Sequence, residues 1–392
     1  MARQVILGWP ISSAHGWGVY GLNLALNFAA DPDIELLTAA SSAGLDIDPL
    51  RACALLPFLK RSVLLQEDLK KYANQAVSAG RMVLAYLNDT FHPGPSAHNI
   101  TLLGTPTIGV TFFELALAPD AVQRARAFPC IVTGSHWNTR VLQAYGIDGV
   151  RTVHQGFDPT YFHPGPKMNL FRDRFLIFSG GKAEYRKAQD IVLAAFKVFS
   201  DRHPEAMLVT AWYNPWPDFI CSLDWSGLLS PVPLNQTRQL DVASWAAANG
   251  TRPDRIIELG MVPNHKMPSI LREMDVAVFP NRAEGGTNLV AMECMACGLP
   301  VVLSRNTGHD DIAIDDACYA LADQRQTRRG FAGHDGVSGW GESQVDEVLE
   351  RLEQVFGDRA EASRRGENAA RAIAELTWAA TATKMKHVIA EY

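Results

Sequence analysis

The residues best suited to chemistry fall in one run, Glu284-Gly-Gly-Thr-Asn-Leu-Val-Ala-Met-Glu293-Cys-Met-Ala-Cys-Gly298-Leu-Pro300, which sets two acids around a glycine turn and a helix start. Glycines let a phosphate or a sugar approach the main chain, and the free N–H groups and dipole of a helix start favour negative charge. Gly285, Gly286, Thr287, Asn288 and Leu289 are therefore candidates for holding an anionic ligand, with Thr287 or Asn288 as the N-cap. Glu293 follows inside that helix, where its carboxylate can accept hydrogen bonds from hydroxyls of the same ligand. A second group, Lys182 and Lys187 in Phe178-Ser-Gly-Gly-Lys182-Ala-Glu-Tyr-Arg-Lys187-Ala-Gln-Asp190, puts cations in a turn between a strand and a helix. That is the edge at which open α/β sheets bind ligands. A solvated basic turn would explain the lysines alone. Beside the Glu284–Gly298 run they read as a nucleotide-sugar site.

Several elements must position these groups. Met274–Pro280 is a short apolar run ended by proline, as in a buried parallel strand, while Gly298 and Pro300 close the helix before Val301–Leu303 begins another strand. Upstream, short apolar runs at 5–7, 34–37, 82–86, 107–110, 130–132 and 150–154 alternate with helical patterns, and a second series runs through 175–178, 207–209, 256–259, 276–278 and 301–303. Alternation of this kind predicts α/β domains with helix-covered parallel sheets. Between the series lies Gly156–Pro166, dense in proline and glycine, a linker candidate; Trp216–Asn235 reads as an insertion or long loop.

The Glu284–Pro300 segment resembles the donor-site motif of retaining glycosyltransferases of the GT-B fold, glycosyltransferase family 4. The family has seven residues between the two glutamates and this chain has eight, so the pattern departs by one at Glu284. In the family a basic residue, and a lysine five positions later, hold the donor diphosphate; Lys182 and Lys187 keep that spacing, with Ala188 where glycine is usual. The stretches 131–138 and 146–164 are also similar to the end of the family's first domain. The resemblance implies two facing doubly wound Rossmann-like domains: an acceptor-side domain over 1–166, a donor domain over 167–372 and a last helix, 373–392, returning to the first. It implies retaining transfer of a sugar from a UDP-, GDP- or ADP-linked donor to a hydroxyl acceptor, sugar, lipid-linked or other, in glycan or envelope polysaccharide synthesis. No cofactor or obligatory metal is expected. By the same resemblance Lys182, Lys187, Glu284 and Glu114 would act in the reaction, Glu114 facing the acceptor, and Gly16 and Gly18 would form a flexible loop reaching the donor phosphates.

Composition narrows the alternatives. The 392 residues suit two domains, and 47% hydrophobic and 20% charged residues with a net charge of −6 lack the basic excess of a nucleic-acid binder. No apolar stretch reaches the length of a membrane span and the start lacks a signal-peptide core, so a cytoplasmic protein with at most peripheral membrane contact is expected. Cys294 and Cys297 form a lone Cys-x-x-Cys inside the proposed helix and read as packed thiols. Gly16-Trp-Gly18-Val-Tyr-Gly21 fits a dinucleotide fingerprint, but seven residues separate Gly8 from Gly16, and Leu37-Thr-Ala-Ala-Ser-Ser offers no ribose-binding acid, which disfavours an NAD-dependent dehydrogenase. A GT-B-like binding protein without catalysis is the other alternative. Asp46-Ile-Asp48 reads as loop, and His309-Asp310-Asp311 as a helix start.

Overall fold

In a computed structural model that describes residues 2–42, 44–327 and 339–392, the chain divides into two compact units. The first comprises Met1–Gly156, Pro263–His265 and Leu376–Tyr392, the second Phe157–Val262 and Lys266–Glu375.

The first unit is built on β1 (Arg3–Leu7), β2 (Ile34–Thr38), the short β3 (Ala76–Ser78), β4 (Met82–Tyr86), the short β5 (Thr101–Leu103), β6 (Thr107–Thr111), β7 (Ile131–Thr133) and β8 (Val150–Thr152). Its main sheet is parallel, in the order β2-β1-β4-β6-β7-β8, and β3 pairs with β5 apart from it. Helices α1 (Gly16–Phe28), α2 (Pro49–Leu69), α3 (Pro119–Ala125) and α4 (His136–Ala144) join the strands. Asp48 caps α2, its carboxylate accepting the N–H groups of Leu50 and Arg51. The unit ends on the helix Trp378–Glu391, where Lys386 pairs with Asp31 and Asp33, and Arg151 with Glu391. A Cβ on Gly156 would lie 2.3 Å from the backbone of Thr377, so only glycine admits the start of that helix so closely.

The second unit is again a parallel sheet: β9 (Phe175–Gly181), β10 (Ala206–Trp212), β11 (Ile256–Glu258), β12 (Val276–Phe279), β13 (Val301–Ser304) and β14 (Tyr319–Leu321), ordered β11-β10-β9-β12-β13-β14. Near-continuous apolar strands, buried on both faces, are what a helix-covered parallel sheet requires. Helices α5 (Gln189–Arg202), α6 (Val242–Ala248), α7 (Met267–Leu271), α8 (Leu289–Ala296), α9 (Val345–Gly357) and α10 (Arg359–Ala372) complete it. Phe175, Ile177, Phe196, Leu208, Trp245, Val276 and Leu352 belong to one buried core. The chain runs outward from β9 through β10 to β11, then resumes on the other side of β9 at β12. That reversal makes the carboxyl ends of β9 and β12 a topological switch point, where such sheets bind ligands.

Candidate functional site

Two turns meet at the switch point. The turn after β9 carries Lys182, Glu184, Arg186 and Lys187; the turn after β12 carries Asn281, Arg282 and Glu284 and leads into α8. Glu284 is buried and makes the central contacts. Its carboxylate accepts from Lys187 Nζ and Asn281 Nδ2, and from an Arg186 guanidinium N–H at 2.9 Å. Arg186 also donates to Glu184 at 2.6 Å and to the Ala283 carbonyl at 2.9 Å, while Lys182, half-exposed, stands 3.5 Å from Glu184. Burial by itself would raise the Glu284 carboxyl, but Lys187 and Arg186 hold it down at about 2. Burial, helped by the like charge of Arg186, pulls the Lys187 ammonium below its usual range despite Glu284. The cluster sets three cations against two carboxylates, an arrangement short of negative charge that a diphosphate would complete.

The turns are locked from behind. Arg282, fully buried, forms a two-pronged pair with Asp190 at 2.9 and 2.7 Å, reaches Glu342 at 2.9 Å, and lies with its guanidinium 4.0 Å from the Tyr185 ring centroid. Ala188 sits in the left-handed region at φ 57, which accounts for glycine being usual there in the family pattern. On the other side Gly308 presses so close that a Cβ would come within 1.8 Å of the Gly286 carbonyl, and its N–H donates to the Glu284 carbonyl at 2.9 Å.

A chain of hydrogen bonds then fixes the start of α8. Ser304 Oγ donates to the Asn281 carbonyl at 2.8 Å, so it receives the proton of His309 Nδ1 at 2.9 Å; His309 Nε2 in turn accepts from Asn288 Nδ2 at 3.0 Å. Burial drops His309 to about 4, which keeps it neutral and preserves this tautomer. The orientation leaves Asn288 Oδ1 to cap the Ala291 N–H at 3.4 Å. Asn288 is thus the N-cap, at φ 65; the Thr287 hydroxyl, buried, points to Met292 Sδ at 2.8 Å, and Leu289 begins the helix. Glu293 is buried on α8. Past its last turn Gly298, at φ 76, donates to the Met295 carbonyl and Leu299 to that of Cys294, a Schellman ending. Burial pushes the Cys297 thiol up to about 12 and Cys294 well above its usual value, which makes both packing groups.

The structure thus brings Lys182, Lys187, Glu284, Gly285, Gly286, Thr287, Asn288, Leu289 and Glu293 to one edge of the second unit. Gly16, Gly18 and Glu114 lie in the first. The flexible loop expected at Gly16–Gly21 is corrected: these residues are the first turns of α1, capped by His15, whose Nδ1 accepts the Gly18 N–H at 3.1 Å. Gly18 is needed for packing, since a Cβ there would meet that of Ser12 at 2.4 Å. Glu114 is half-buried after β6, with its N–H donated to Asp89 at 3.1 Å. Sequence reasoning passed over Arg186, Arg282, Asp190 and His309 as site-building groups. Charged residues inside an apolar βα turn were the one available signal.

Residues 233–333 match the sequence model of a family described as glycosyl transferases group 1. Over those residues the chain is similar to the group 1 glycosyl transferases. D-inositol 3-phosphate glycosyltransferase 2 of Catenulispora acidiphila is 29% identical over 257 residues, covering 62% of this chain and 51% of that protein. The D-inositol 3-phosphate glycosyltransferase of Corynebacterium diphtheriae is 26% identical over 254 residues, covering 62% and 50%. The chain spans about half the length of these curated relatives. Among solved structures, sucrose-phosphate synthase from Thermosynechococcus elongatus superposes with a TM-score of 0.65 at 14% identity, covering 99% of this chain and 98% of that one. Anabaena HepE, solved in complex with UDP and glucose, gives 0.62 at 12% identity and full coverage of both. At such identities the likeness is one of fold. The chain has the GT-B fold, two Rossmann-like parallel-sheet domains. No helix among its described residues is long and apolar enough to cross a membrane.

Proposed function

We propose that this protein moves a sugar from a nucleoside diphosphate donor to a hydroxyl acceptor with retention of anomeric configuration and without an obligatory metal, as in glycosyltransferase family 4. The observation that carries the reading is the Lys187–Glu284–Arg186 cluster at the switch point, short of anionic charge and next to the capped start of α8. The hard step is departure of a diphosphate from an oxocarbenium-like centre, so preorganised positive charge on the leaving group matters most. Lys182, Lys187 and the amides of the Gly285–Asn288 turn would supply it. Glu293 would accept from hydroxyls of the donor, and Glu284 would keep Lys187 and Arg186 charged and aimed until the diphosphate arrives. Glu114 is proposed for the acceptor. Neighbours of the same fold that bind UDP and glucose, such as HepE, support a nucleotide-sugar donor.

Calorimetry with UDP, GDP, ADP and NAD, without added metal, tests this. Binding of one nucleoside diphosphate, weakened by roughly 1–3 kcal/mol in Glu293→Ala as loss of a charged acceptor demands, supports the reading. Binding of NAD alone, or of none of the four, overturns it. Donor hydrolysis in the absence of acceptor then separates an enzyme from a protein that only binds the nucleotide.

A further inference from the structure

Trp216 has no part in the cluster above, yet it stands beside it. The indole is 52% exposed, on the turn that follows β10, and Lys182 Nζ lies over its ring 5.3 Å from the centroid. A large exposed aromatic ordinarily sits wherever its loop happens to place it. Here the loop is fastened: the Trp216 N–H donates to Asn214 Oδ1 at 2.9 Å, and Asn214, fully buried, donates through Nδ2 to the Ala183 carbonyl at 3.0 Å. Gln239 brackets Asn214 from both sides, accepting its N–H at 3.0 Å and donating to its carbonyl at 2.9 Å. Asn214 therefore ties the Trp216 backbone to the lysine turn itself. Next along the sheet from β10 is β11, so a ligand whose phosphates occupy the switch point, and which extends toward β11, passes the ring.

Resting on the donor reading above, we infer that Trp216 is the stacking face for the base of the nucleoside diphosphate. Without ligand, Lys182 covers one face of the ring in a half-exposed cation–π contact, which is weak. A diphosphate attracts the same ammonium more strongly and draws it off. The face so uncovered accepts a planar base, because every base has a π-face and stacking needs no hydrogen-bond code. Lys182 and Trp216 then read the two ends of one ligand, charge at one and aromatic surface at the other.

The test compares inorganic pyrophosphate with whichever of UDP, GDP and ADP the wild type binds, by calorimetry on the full chain, in Trp216→Ala, Trp216→Phe and Lys187→Ala. The inference expects Trp216→Ala to weaken the nucleotide by roughly ten- to a hundredfold, the range of base–aromatic stacking, and to leave pyrophosphate unchanged. Trp216→Phe should restore most of the nucleotide binding, and Lys187→Ala should weaken both ligands. Equal weakening of both ligands by Trp216→Ala, or of neither, overturns the inference while the donor site stands. A wild type that binds neither pyrophosphate nor any nucleotide overturns the donor reading, and the stacking role with it.

Discussion

At the scale of single residues, the site's electrostatics translate into two separate acid sensitivities. His309 is held at about 4 against an ordinary 6.5 because burial disfavours its charged form. The unfolded chain therefore takes up this proton first. His309's contribution is complete above about pH 6.5 and is withdrawn as pH falls toward 4, a loss of roughly 3 kcal/mol. Urea denaturation between pH 7 and 4 should show that loss in the wild type and a flatter profile in His309→Gln. Glu284 acts in a lower window. Its folded value of about 2 lies below the ordinary 4.5, so its stabilisation is present above pH 4.5 and is lost on the way down to 2. Glu284→Gln leaves Lys187 and Arg186 buried without their shared counter-charge and should destabilise by about 3 kcal/mol at pH 7. The deficit against wild type should shrink as pH drops through the same window. A deficit that stays constant down to pH 2 would show that Glu284 acts by packing alone. None of this is legible from the sequence. Glu284 stands out there by its spacing to Glu293, but spacing does not reveal that its partners are Arg186 and Lys187, nearly a hundred positions away.

At the scale of elements, the decisive piece is the start of α8, where side chains and backbone conformation act together. Asn288 caps the helix and also occupies the left-handed region, which asparagine tolerates better than most residues. Asn288→Ala removes the cap and adds the left-handed penalty, together about 2 kcal/mol. It also releases His309 from its Nε2 partner, so nucleotide affinity should fall along with stability. Asn288→Gly, which relaxes the backbone but not the cap, should recover about half of the stability and little of the affinity. Thermal shift and calorimetry on the two variants measure the two effects; equal recovery of both would mean that backbone conformation alone shapes the site. The boundaries of α8 were readable from Asn288, Gly298 and Pro300 because caps and stops are local chemistry. The helix α2 was not read. Its exposed face carries Leu50, Leu56, Val63 and Leu64, and Pro57 stands inside it, so the apolar period is blurred and the proline argues falsely for a break. Strands β3 and β5, of three residues each, are too short to announce themselves by alternation.

At the scale of the whole molecule, parallel sheets were legible because buried strands are nearly pure apolar runs, and the GT-B assignment followed from motifs at the ends of two of them. The same architecture bears on how the protein responds to its ligand. Each unit has its own buried core, around Phe175, Phe196 and Val276 in the second and Val83, Phe113 and Ile131 in the first, so unfolding need not be a single two-state event. Every residue of the proposed diphosphate cluster belongs to the second unit. A nucleoside diphosphate at a hundred times its dissociation constant stabilises the state that binds it by about 2.7 kcal/mol, which corresponds to a rise of roughly 5–11 °C in the melting of a domain this size. Differential scanning calorimetry should therefore show two transitions, with the nucleotide raising the one that belongs to the second unit and leaving the other in place. Lys187→Ala assigns the transitions, since it should abolish the shift without moving the unliganded transition of the first unit. A nucleotide that raised both transitions equally in the wild type would require the ligand to contact both units, and the stabilisation would then have to be apportioned between Lys187 and residues of the first unit by the same substitution.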